Sequence, residues 1–290
     1  FLSRVEINAG QGIEKYYTPE ECFTFDSANG SITAYDITKT GCTTDVVIPY
    51  EIDGEAVTQI GQAAFKEKGI TSVEFPRSVE TIGANAFQYN PTIEKIIFNE
   101  GLKEIKGFAF GVSPTPVNIE QNRGKLEFVF FPETVVEIMG VSFAGNSLRQ
   151  VIIPDNVTDL GTGSNFVFNK IEHFKIGKGI TILPGKVFQG NLIEKVEIPD
   201  HVTRLTSVEF ANNPIKELKL GTGLTYIGAN TFENLNIAGE HAYPRNEFYL
   251  KEVYIPYNVT NLGSSVFGTA TSDVIIRTER TKEDFLTNVS

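Results

Sequence analysis

Chemistry in this sequence would have to come from three histidines, two cysteines and scattered acidic residues. His173, His201 and His241 lie far apart, and none has a ligand-type residue three or four places on. That spacing is what sets two donors on one metal ion, so no metal site is expected. Glycoside hydrolysis would need two carboxylates facing each other across a cleft. Glu74, Glu197, Glu217 and Glu252 share one strand face, but exposed strand positions of so acidic a chain carry acids in any case. No glycine-rich phosphate loop and no G-x-S-x-G elbow occurs. Cys22 and Cys42 have no histidine within their own segments to activate a thiolate. The Asn-Val-Thr triplets at 156–158 and 258–260 match a glycosylation acceptor, yet they occupy the repeat position also held by Ser78-Val79-Glu80. No catalytic residue, cofactor or metal is expected.

Composition narrows the partners. The net charge is −11 and the pI about 4.9, which repels nucleic acid and anionic membrane surfaces. No run of 18 apolar residues exists, so no membrane insertion is expected. The chain opens at Phe1 without a charged-then-apolar leader, which reads as a processed or trimmed chain without its signal peptide.

What orders the chain is a repeat. Its unit is Ile70 to Asn90, ITSVEFPRSVETIGANAFQYN. The opening apolar residue returns at Ile93, Leu126, Leu148, Ile171, Ile193, Ile215 and Leu250, mostly in steps of 22 or 23 residues. A closing Phe returns at 65, 87, 110, 143, 166, 188, 210, 232 and 267. A period in this range marks a solenoid with one strand per coil. Val73 and Phe75 stand two apart, as on a strand with one buried face, and Pro76 ends it by lacking an N–H. Val79, Ile82, Ala86 and Phe87 then close the coil. Gly83 supplies a corner, and a turn of 3₁₀ helix or an irregular turn completes it. Asn90, Asn146, Asn169, Asn191 and Asn213 follow the Phe by three, placed to bond the backbone of neighbouring coils.

VTQIGQAAF (57–65), VETIGANAF (79–87), VEIPDHVTRL (196–205) and VYIPYNVTNLG (253–263) resemble the BspA-like, Treponema pallidum type, leucine-rich repeats. The resemblance spans 46–270 and implies a right-handed coil with a parallel β-sheet on one face. It further implies a secreted or cell-surface bacterial protein that binds extracellular protein or glycan, with no family-wide catalytic residues.

Three parts are expected in order. Residues 1–45 hold a mixed segment and a β-hairpin cap, Cys22–Tyr35, with Asn29-Gly30 in its turn. Residues 46–270 form about nine coils, with insertions at 111–125 and 235–249 on one edge. Residues 271–290 carry a strand over 273–277 and a short helix from Thr281. Cys22 and Cys42 flank the hairpin and are either one disulfide or two inert thiols.

Surface is what remains for function. Outward strand positions are mostly polar, except for Ile97, Phe128, Phe130 and Ile152 in adjacent coils. With Leu126, Val129 and Phe131 buried, Phe128 and Phe130 must face out. Such a cluster is a contact site unless the 111–125 loop buries it. The expected function is binding or adhesion. The alternatives are a self-associating surface component forming a weak homo-oligomer and, remotely, an enzyme on a solenoid scaffold.

Overall fold

The computed structural model describes residues 5–7, 14–112, 123–233, 250–268 and 274–281. Each repeat forms one coil. In the coil of 70–90, Ile70, Val73, Phe75, Val79, Ile82, Ala86 and Phe87 are all buried. One coil has no interior of its own, so burial comes from stacking on its neighbours.

Three hydrogen-bonded ladders tie the coils together. The first is the expected parallel sheet, in which Asp45–Val47, Ser72–Glu74 and Lys95–Ile97 align residue for residue. The second lies further along each coil, where two-residue strands such as Gln59–Ile60, Thr81–Ile82, Glu104–Ile105 and Glu137–Ile138 pair in parallel. It resumes from Ile182–Leu183 through Arg204–Ser207 and Tyr226–Ala229 to Asn261–Leu262. The third follows the turns. Phe65 N–H donates to Ala86 C=O at 2.7 Å, Phe87 N–H to Ala109 C=O at 2.7 Å, and so on to Phe232 N–H on Val266 C=O at 2.9 Å.

In this third ladder the donor belongs to the earlier coil. Its cause is a left-handed residue two places before each closing Phe: Ala63, Asn85, Phe108, Val141, Ser164, Lys186, Val208, Asn230 and Ser265 all have positive φ. Around that residue alternate N–H groups, those of Ala63, Phe65 and Glu67 in the first such turn, point to the next coil, while Ala64 and Lys66 N–H bond within their own. The irregular turn is therefore the form realised. A 3₁₀ turn would spend those donors inside its own coil, and the 3₁₀ helix among the described residues is Glu20–Cys22, outside the repeats. Gly83 serves close approach rather than a left-handed corner, since a Cβ there would lie 2.7 Å from Ile60 O.

The closing Phe residues form one continuous stack. Ring centroids of Phe65 and Phe87 are 4.6 Å apart and those of Phe87 and Phe110 5.1 Å, and the series runs on to Phe232–Phe267 at 5.9 Å. Tyr35 of the hairpin adds a further ring, 5.0 Å from Phe65.

That ring belongs to the N-terminal cap. Phe23–Asp26 pairs antiparallel with Ser31–Tyr35, and Ser31–Tyr35 then runs parallel to Gln59–Ile60. The hairpin thus closes the second ladder. The first is closed by Thr18, whose N–H donates to Val47 C=O at 3.0 Å and whose Oγ1 accepts from Val47 N–H at 2.9 Å. Ahead of it, Val5–Ile7 pairs with Glu14–Tyr16 in a stretch expected to be mixed.

At the far end Glu252–Ile255 pairs with Ile275–Thr278, so this strand ends one residue beyond the expected 273–277. Ile276 lies in register with Val253, yet Val253 is 1% exposed and Ile276 46%. The helix expected from Thr281, most of the 111–125 insertion and the whole of the 235–249 insertion lie outside the described residues.

Candidate functional site

The strand face carries the four residues singled out from the sequence. Ile97 is half-buried on Lys95–Ile97, and Ile152 is 46% exposed on Gln150–Ile152. Between them Phe128 is 52% and Phe130 77% exposed, while Leu126 and Val129 point inward. Phe131 turns in as well, its ring 5.4 Å from that of Phe143. The inward–outward alternation holds, but the expected strand over 126–131 does not form. Coil four is tied where the chain re-enters from the insertion: Lys125 N–H donates to Pro91 C=O at 2.9 Å, and Glu127 C=O accepts from Arg149 N–H at 3.1 Å. Its residues 128–131 form no strand in the first ladder, so that sheet stops at Lys95–Ile97 and begins again at Gln150–Ile152. The two exposed Phe side chains therefore stand on a segment held by its buried residues rather than by cross-strand bonds.

Charge around the patch is largely cancelled between coils. Arg149 lies 3.3 Å from Glu127 and 3.9 Å from Glu172, and Lys125 lies 2.7 Å from Glu94. Further along the face Lys216 meets Glu194 at 2.6 Å, Lys195 meets Glu217 at 3.1 Å, and Lys219 meets Glu197 at 2.5 Å. Arg277 likewise pairs with Glu252. Of the carboxylates considered for glycoside hydrolysis, Glu197, Glu217 and Glu252 thus face lysine or arginine rather than each other. The hydrogen bond from Lys219 holds the Glu197 carboxyl below its ordinary range, which keeps it ionised and unfit to donate a proton.

The remaining chemistry-bearing groups have local tasks. His173 is exposed on His173–Lys175, the His201 ring lies 3.1 Å from Gly177 O, and His241 is outside the described residues. Among the described residues no cluster of His, Cys, Asp or Glu is placed to hold a metal ion, and no helix could cross a membrane. Cys22 and Cys42 form a disulfide with a Cα separation of 5.7 Å, tying the hairpin to the segment that leads into the first coil. The Asn column bonds coil to coil. Asn169 accepts from Leu148 N–H at 3.1 Å and donates to Phe143 C=O at 3.0 Å and Phe166 C=O at 3.1 Å.

Glu209 was not singled out from the sequence. It is fully buried, where Ala64, Ala86 and Ala109 stand in other coils, and burial pushes its carboxyl up to about 6. Oε1 accepts from Ser207 N–H at 2.6 Å and Thr206 Oγ1 at 3.0 Å, and Oε2 lies 3.2 Å from Thr231 Oγ1. A charged residue in a column of small ones was the legible signal.

A model of the family described as BspA type leucine-rich repeat region matches residues 30–125 and 120–238 in six copies. A leucine-rich repeat protein from Bacteroides ovatus is similar in structure, with a TM-score of 0.68 at 20% identity over 88% of this chain. This chain spans only 65% of that protein's length. The leucine-rich repeat protein of T. pallidum aligns over 68% of this chain and 88% of its own, with 22% identity and a TM-score of 0.50. No relative of curated function matches. At these identities the structural likeness speaks to the fold.

Proposed function

The chain belongs to the BspA-type leucine-rich repeat family, and from that premise we propose a binding module that acts without catalysis. It works outside the cytoplasm, secreted or on a bacterial surface, and holds a protein or glycan partner on the strand face around Phe130. One observation carries the reading. On a face whose charges are mostly paired between coils, Phe128, Phe130 and Ile152 stand open to water at 52%, 77% and 46%. Exposed apolar area is unfavourable by about 25 cal/mol per Å², and contiguous patches of this kind are contact sites. The Cys22–Cys42 disulfide supports an oxidising compartment, because such bonds persist where thiols are not kept reduced.

The test is surface plasmon resonance of the chain and its Phe130→Ser variant against immobilised extracellular matrix proteins and a glycan panel. Binding by the parent, lost in the variant at unchanged melting temperature, is the expected result. Equal binding by both would remove the patch from the reading. If the patch instead joins two copies, sedimentation would show a dimer that Phe130→Ser dissolves.

A further inference from the structure

Two lysines beside the patch break the pattern of paired charge. Lys95 starts the strand that ends in Ile97. Lys175 is the cross-strand partner of Ile152 in the next coil. No carboxylate is in ion-pair range of either among the described residues. Asp155, the acid near Lys175, is bonded to Lys178 at 2.9 Å, and Glu74, the cross-strand partner of Ile97, has an interaction of its own. Lys251 is the other such lysine on this face, at the far end of the solenoid. On the strand face between these points Arg149, Lys195, Lys216 and Lys219 carry acidic partners.

We propose that the patch takes an extended peptide segment of a protein partner, apolar at its centre and carrying a carboxylate toward each end. This deepens the reading above and rests on it. The apolar centre lies over Phe128 and Phe130, and the carboxylates meet Lys95 on one side and Lys175 on the other. Three coil steps of about 4.8 Å, with a sideways offset of two residues, separate the two lysines by about 16 Å. At about 3.3 Å per residue, an extended chain places its two acids four to five residues apart. A partner's acidic segment is otherwise repelled by a chain of net charge −11, so these two cations also select where on the molecule it can settle. A glycan would gain nothing from this spacing unless it carried acids at the same separation.

The experiment is selection of a phage-displayed random-peptide library on the full chain at low salt, followed by titration of the recovered synthetic peptide. Sequences with an apolar or aromatic centre flanked by Asp or Glu at that separation are expected. The Lys95→Ala/Lys175→Ala double variant should bind such a peptide about tenfold more weakly, the effect of two surface ion pairs near the top of their range, and with less salt dependence. Phe130→Ser should abolish binding. Absence of enrichment, or recovered peptides without flanking acids, overturns the proposal. Binding lost in Phe130→Ser but unchanged in the lysine variant also overturns it, while leaving the apolar patch as the site. Binding that survives Phe130→Ser overturns both readings.

Discussion

Glu209 shows how one residue departs from its column. Thr231 Oγ1 lies 2.9 Å from Gly228 O as well as 3.2 Å from Glu209 Oε2, and it has one proton to give. When that proton goes to Gly228, Glu209 Oε2 faces an acceptor and is better protonated. Burial works in the same direction, so the carboxyl titrates at about 6 rather than near 4.5. The folded state therefore prefers the proton more than the unfolded chain does. That preference is fully present below pH 4.5 and is lost as the pH rises through 6. In Glu209→Gln the amide nitrogen can donate to Thr231 at any pH. The variant should match the parent near pH 4 and exceed it at pH 7 by about 2 kcal/mol, at 1.36 kcal/mol per pKa unit. Urea unfolding at both pH values measures this. A constant difference across that range would mean Glu209 does not titrate inside the fold.

The element that repeats most faithfully is the turn around the closing Phe. Its left-handed position holds Asn85 and Asn230 in two coils but Val208 in another, with φ 62°. A β-branched residue in that region is strained, and left-handed backbone is unfavourable by roughly 1–2 kcal/mol for ordinary residues. Val208→Asn should thus stabilise the chain by about 0.5–1 kcal/mol, read as a higher urea midpoint with unchanged slope. The Asn three residues after the Phe works in the opposite sense. Asn169→Ala would leave Leu148 N–H buried without a partner, at about 1–3 kcal/mol, while Phe143 C=O would keep the Asn146 amide as donor. At the same turn, Phe87→Ala removes a ring stacked between Phe65 and Phe110 and should be destabilising by about 3–5 kcal/mol. A Phe87→Ala melting curve within a degree of the parent would show that the stack contributes little.

At the scale of the molecule the two ends differ. The N-terminal end is closed by Thr18 on one ladder and by a disulfide-tied hairpin on the other, whereas Ile276 stays open at the far end. In a solenoid each coil depends on its neighbours alone, so losses at one end should remain local. Removing the disulfide by Cys22→Ala/Cys42→Ala releases a loop of 20 residues, with an expected cost of about 3 kcal/mol on the chain-entropy view. Hydrogen exchange should then quicken in Ser31–Tyr35 and Gln59–Ile60 while the amides around Phe188 keep their protection. Equal loss in both regions would mean that the coils unfold as one unit.

The repeat, its period, the buried set of each coil, the Phe stack and the hairpin cap were legible from residue types and spacing alone. Each is written in a pattern that local periodicity carries: apolar residues two apart on a strand, or one Phe per coil. The same periodicity placed Ile97, Phe128, Phe130 and Ile152 on the outer face. The second and third ladders were not legible, because their bonds join backbone groups some 22 residues apart and leave little mark on side-chain type. Nor was the missing strand of coil four, where the apolar alternation is intact and only the path of the chain between Lys95–Ile97 and Gln150–Ile152 withholds the partners. The pairing of acids and bases across the strand face, and with it the two lysines left over beside the patch, depended in turn on which coil lies against which. Charge on a surface is decided by neighbours in space, and those only the stacked coils bring together.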